Sequence, residues 1–174
     1  FSEVTVVHGG DGSVFGSGAL GGSIHYNSAI NFKPQKKIKL TTEKGSFGME
    51  SNSISFLQTN NKLAVSGFLL SLTDDNTFEL VNTTQIGSPS QVNNYGKLSS
   101  DQQQLNLAYK LNKSNQITFN YWGSQNEREV PQNMTILFSD AKQYDDSQRL
   151  LFSSKHNISN ISLCLKQAYI KEDF

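Results

Sequence analysis

The glycines at 16, 18 and 21 are spaced as in the dinucleotide-binding fingerprint, where a backbone turn closes on a pyrophosphate at the start of a helix. A short β-branched stretch precedes them, as that motif requires. The residues after Gly22 do not fit, because Ser23-Ile24-His25-Tyr26 reads as extended chain and Glu43, at the spacing of a ribose-binding acid, belongs to a later strand pattern. No Gly-Lys-Ser/Thr is present there, so a P-loop is excluded. His8, His25 and His156 lie far apart and lack metal-ligand spacing, and Cys164, the single cysteine, can form neither an internal disulfide nor a zinc cluster. No local motif pairs a nucleophile with a base. Asp74-Asp75, Asp101 and Asp145-Asp146 could offer oxygens to calcium, but that ion needs six or more converging on it, and no EF-hand spacing is present. The Asn133 and Asn157 sequons are what an Asn/Ser/Thr-rich chain produces by chance. The expectation is a protein without catalysis, cofactor or metal.

The elements that must position whatever function remains are strands. Hydrophobic residues make up 36% of the 174 residues, and they recur in short alternating runs separated by Asn, Ser, Thr, Gln and Gly. Fifteen basic and fifteen acidic residues cancel, so no positive field exists to collect nucleic acid. No apolar run reaches the roughly 18 residues of a membrane helix, which leaves a closed β-barrel as the only way to cross a bilayer. The sequence starts without Met or a leader-like segment, and it is expected to be a piece of a longer protein.

Alternation predicts extended pieces at Ser2–Val7 and Ser23–Tyr26. Seven strands come after them, near Ile38–Glu43, Met49–Gln58, Leu63–Asp74, Gln103–Leu111, Gln116–Gln125, Gln148–His156 and Ile161–Ile170. Polar tetrapeptides at 59–62, 112–115 and 157–160 are hairpin turns, and 44–48 is also short, whereas 75–102 and 126–147 are long. Outer-membrane barrels combine short turns at one end with long loops at the other. Within the strands, Leu105, Leu107, Tyr109 and Leu111 share one face and Gln104, Asn106, Ala108 and Lys110 the other. Ile117, Phe119 and Tyr121 likewise alternate with Thr118, Asn120 and Trp122. Tyr109, Tyr121 and Trp122 are candidates for an interfacial aromatic girdle. A soluble antiparallel sheet with one wet face alternates in the same way, and residues 63–72 and 148–154 are apolar on both faces in places.

Seven of the 13 glycines fall between positions 9 and 22, a density suited to tight turns and close backbone approach. This stretch, with Glu3-Val4-Thr5-Val6-Val7 before it, resembles the end of the plug domain of TonB-dependent outer-membrane receptors. In that family a strand leads through an Arg-Gly-Pro end to a Ser-x-x-Tyr-Gly turn, a Gly/Ala-rich segment and Gly-Gly before the next strand. The matching positions are Gly9, Ser13, Phe15, Gly16, Gly18, Gly21 and Gly22, with Ser13-Val14-Phe15-Gly16 as the turn and Gly18 to Ile24 as the exit. The chain departs from the pattern at His8, Gly10, Phe15 and His25-Tyr26.

The resemblance implies an all-β architecture: the plug's C-terminal end over residues 1–33, then an antiparallel up-and-down meander over 34–174 forming about the first seven strands of a transmembrane barrel. It also implies localisation in the bacterial outer membrane among its lipids, coupling to a TonB-type energy-coupling complex, and import of a bulky nutrient such as a ferric siderophore, haem or cobalamin. Ligand contacts are expected on the long loops, with Phe78, Tyr95, Arg128 and Tyr144 as candidates because aromatic and cationic groups offer stacking area and charge. The alternative is a small outer-membrane barrel or a β-rich surface adhesin that transports nothing.

Overall fold

The computed structural model describes residues 3–9, 21–27, 30–130 and 140–174. The chain divides into two compact units, Phe1–Asn31 and Phe32–Phe174. The first contains an antiparallel hairpin of β1 (Glu3–His8) and β2 (Gly22–Asn27), in register from Glu3 opposite Asn27 to His8 opposite Gly22. Gly22 has φ +145°, and a Cβ there would stand 2.5 Å from the Val7 carbonyl oxygen, so only glycine lets the two backbones meet. Strand directly after Gly21 is incompatible with the helix a dinucleotide site needs. Ser13, Phe15, Gly16 and Gly18 lie outside the described residues, as does Asn133.

The second unit is one sheet of seven antiparallel strands: β3 (Gln35–Lys44), β4 (Glu50–Thr59), β5 (Leu63–Asp74), β8 (Leu98–Lys110), β9 (Gln116–Glu129), β10 (Lys142–Ile158) and β11 (Ile161–Asp173). Neighbours in the sheet follow chain order. The exception is an excursion between β5 and β8, where β6 (Phe78–Val81) and β7 (Ser90–Asn93) form a separate hairpin. The protein is therefore all-β and antiparallel, and the only helical piece among the described residues is a 3-10 turn, Ser46–Gly48. No helix among them is long and apolar enough to cross a membrane, a statement that leaves strands untouched.

Asparagines close the short turns. Asn60 Oδ1 accepts from the Lys62 and Leu63 amides at 2.8 and 2.7 Å, and Asn112 Oδ1 accepts from the Ser114 amide at 2.9 Å. The last two turns also clasp each other, since the Asn157 amide donates to Asn115 Oδ1 at 2.9 Å and Asn157 Nδ2 to the Ser114 carbonyl at 3.1 Å. All three tight turns sit at one end of the sheet; the connections 45–49, 75–97 and 130–141 sit at the other.

Those last two connections are shorter than alternation predicts, because β8 begins at Leu98, β9 runs to Glu129 and β10 starts at Lys142. The added strand ends are polar, so hydrophobic periodicity stops before the backbone ladder does. Polar side chains pair across them instead: Ser100 Oγ with Asn126 Oδ1 at 2.6 Å, Gln125 Nε2 with Asp146 Oδ2 at 3.2 Å, and Lys142 Nζ with Glu127 Oε1 at 2.6 Å.

Candidate functional site

Register assigns every side chain of the large sheet to one of two faces. On the first, Ile38, Leu40, Ile54, Phe56, Leu63, Val65, Leu69, Leu105, Leu107, Tyr109, Ile117, Phe119, Tyr121, Leu150, Phe152, Leu165 and Tyr169 form a continuous apolar band. Along β5 the band runs from Leu63 to Leu69, about 20 Å at the rise of a strand. Charge enters its rows only on the two edge strands, at Lys36 opposite Gln58 and Lys171 opposite Gln148. Beyond it towards the long connections the same face turns polar, through the row Asn52, Ser71, Asp101, Gln125, Asp146 and Asp173. Among the described residues of the second unit nothing covers the band: Ile38 and Leu40 are each 73% exposed, and the only buried hydrophobic residues are Ala64 and Ala108, a cross-strand pair on the opposite face.

That opposite face is mixed, with Leu57, Phe68, Leu70, Leu72, Leu151 and Ile170 among polar side chains that bond to one another. Asn106 Nδ2 donates to Ser66 Oγ at 3.2 Å, Ser124 and Ser147 share a hydroxyl bond of 2.9 Å, Thr118 bonds Ser153, and Arg149 forms an ion pair with Glu172. Lys37, Lys39, Lys155 and Lys166 also lie on it. Tyr121 and Tyr169 flank Leu150 at the border of the apolar band, and Tyr109 lies near its other border. Trp122, grouped with the tyrosines on sequence alone, is on the polar face, because parity places it opposite its neighbour Tyr121. Tyr169 takes its place in the aromatic border. Its alternation was visible, but its level beside Tyr121 depends on pairing through β10.

The four residues expected to contact a ligand separate. Phe78 opens β6 and packs edge-on against Phe47, ring centroids 5.8 Å apart, while Tyr95 lies in the connection between β7 and β8. Arg128 and Tyr144 are not loop residues: both lie in strands, β9 and β10, on opposite faces of the sheet. Arg128 donates through Nε and Nη2 to Gln143 Oε1 at 3.1 and 2.6 Å. Of the four, only Phe78 and Tyr95 belong to the excursion between β5 and β8.

That excursion is built around residues that neither spacing nor motif singles out. Asn82, 1% exposed, accepts from the Thr84 amide and hydroxyl at 3.0 and 2.6 Å, donates from its side chain to Gln91 Oε1 at 3.3 Å, and its own amide reaches the Pro89 carbonyl at 2.9 Å. The return to the sheet is held by Glu129, whose Oε2 accepts from the Gly96 and Lys97 amides at 3.1 Å each. Those two backbone bonds, Gly96 first, hold the Glu129 carboxyl below its ordinary value of 4.5, against a desolvation penalty and with help from the Lys142 and Lys97 charges. A carboxylate so lowered stabilises the folded connection fully above its unfolded pKa, and that contribution is lost as pH falls through its folded value. Hydrogen-exchange protection of the Gly96 and Lys97 amides should therefore fall selectively as pH drops below about 4.5. In Glu129→Gln the protection should be low already and show no such step; an identical pH profile in both proteins contradicts the assignment.

On the polar face a cleft of about 550 Å³ opens over β5, β8, β9 and β10, lined by Phe68, Gln102, Gln104, Trp122, Ser124 and Arg149. Among the described residues, no three His, Cys, Asp or Glu side chains converge as a metal site requires. Comparison with protein-family models and with curated proteins returns no match for the chain.

Proposed function

We propose that this chain is part of a TonB-dependent receptor of the bacterial outer membrane: the end of the plug, followed by the first seven strands of the barrel. The observation that carries the reading is the apolar band, charged only on its edge strands, on one face of an antiparallel meander whose other face carries the cross-strand polar hydrogen bonds. The band has no covering layer among the described residues, and lipid would supply apolar surroundings where a barrel wall stands in a bilayer. The order of Glu3 to Ile24 supports the receptor rather than a plain barrel, since the plug pattern precedes the first barrel strand. Free edges at β3 and β11 would pair with further strands, closing the wall as bilayer insertion requires.

In this reading the polar face lines the lumen, and the long connections face outward and receive a bulky nutrient: a ferric siderophore, haem or cobalamin. The coupling complex then draws on the plug, and no covalent chemistry takes place. The test is uptake of radiolabelled cobalamin, haem and ferric chelates by cells carrying or lacking the full-length gene, with and without a protonophore. Gene-dependent uptake that collapses with the protonophore is expected for one of these nutrients. Outer-membrane localisation without energised uptake would favour the adhesin or plain-barrel alternative, and a protein found in the aqueous fraction would sink both.

A further inference from the structure

We infer that the cleft on the polar face is a binding site for an uncharged, hydroxyl-rich ring, of the kind a sugar unit presents. Phe68, Gln104, Trp122 and Arg149 stand directly opposite one another on four successive strands. Adjacent strands lie about 4.8 Å apart, so the two aromatic residues are separated by roughly 10 Å with the Gln104 amide on the floor between them. That gap accommodates one six-membered ring, its apolar C–H faces against the aromatic flanks and its hydroxyls towards amide groups. Gln102 and Ser124 occupy the next level of the same face, adding further donors and acceptors.

Charge decides between a neutral ligand and an anionic chelate. Arg149, the one cation of the lining among the described residues, is already paired with Glu172, through Nε at 3.1 Å and also through Nη2. An incoming anion would have to displace that carboxylate, whereas a neutral ligand can accept from the guanidinium protons left over. The lining combines aromatic area with a few convergent polar groups, and its volume falls within the range of small-molecule sites. The inference goes beyond transport, since it requires only that the polar face be reached by solute.

Trp122 is the only tryptophan of these 174 residues and is 37% exposed, so the part of the emission that a Trp122→Phe variant loses reports on this cleft. The purified protein is titrated with neutral glucose, galactose and mannose oligosaccharides to about 1 mM, the weak limit of useful affinity, and with an anionic ferric catecholate. A saturable change in Trp122 emission is expected with at least one oligosaccharide. Loss of a ligand hydrogen bond in Gln104→Ala or Gln102→Ala should weaken it by roughly tenfold, with the reporter retained. A response to the catecholate alone, no response to any sugar, or affinity unchanged in both variants would overturn the inference. Because the readout is binding to purified protein, its failure is separable from a failure of energised uptake in cells.

Discussion

Leu107→Arg should cost about 2–4 kcal/mol of folding free energy in phospholipid vesicles, the penalty of a guanidinium near the middle of the lipid-facing wall of a barrel. Leu107 lies mid-band, between Val65 and Phe119, with Leu105 and Tyr109 above and below on its own strand. The paired control is Asn106→Arg, one residue away but on the polar face, where the loss is the Ser66 bond and amounts to about 1 kcal/mol. Denaturant titrations of the vesicle-inserted protein measure both. Equal costs, or a larger cost at Asn106, would overturn the assignment of the apolar face to lipid. The contrast is informative because the two positions are adjacent on one strand, receive the same residue and point to opposite faces of the sheet.

Gly67→Ala should destabilise the sheet by about 1–3 kcal/mol although alanine is ordinarily the better strand residue. Phe56 stands directly opposite Gly67, and its ring lies over the glycine: an added Cβ would fall 2.2 Å from Phe56 Cε1 and 2.6 Å from Cζ. A ring cannot retreat as the tip of a flexible chain can, so the rotamer or the backbone must shift. In a Phe56→Ala background the same substitution should be neutral or stabilising, a coupling of about 0.5–3 kcal/mol within the double-mutant cycle. Additive costs would show that the ring does not set the requirement for glycine. Tyr121 approaches Gly123 in a similar way, a Cβ there standing 2.5 Å from Oη, but along one strand and through the outer end of its ring. The effect of Gly123→Ala should be smaller.

Strand existence and the two faces were legible in the sequence because alternation is local: the parity of Leu105, Leu107 and Tyr109 sets them against Gln104 and Asn106 without reference to any other strand. The bounds of Leu63–Asp74 and the three asparagine-containing turns were readable for the same reason. Where apolar residues run out the signal ends, which is why Leu98–Gln102 and Asn126–Glu129 read as loop although the ladder continues through them. The small hairpin of Phe78–Val81 and Ser90–Asn93 left no periodic trace, being four residues on each side and closed by Asn82 rather than by an apolar face. Tertiary structure alone decided what lies level with what. Tyr169 comes level with Tyr121 across Leu150, Arg149 beside Trp122 and Glu129 against the Gly96 amide through pairings between residues far apart in the chain, and such register is a property of the assembled ladder that no single strand encodes.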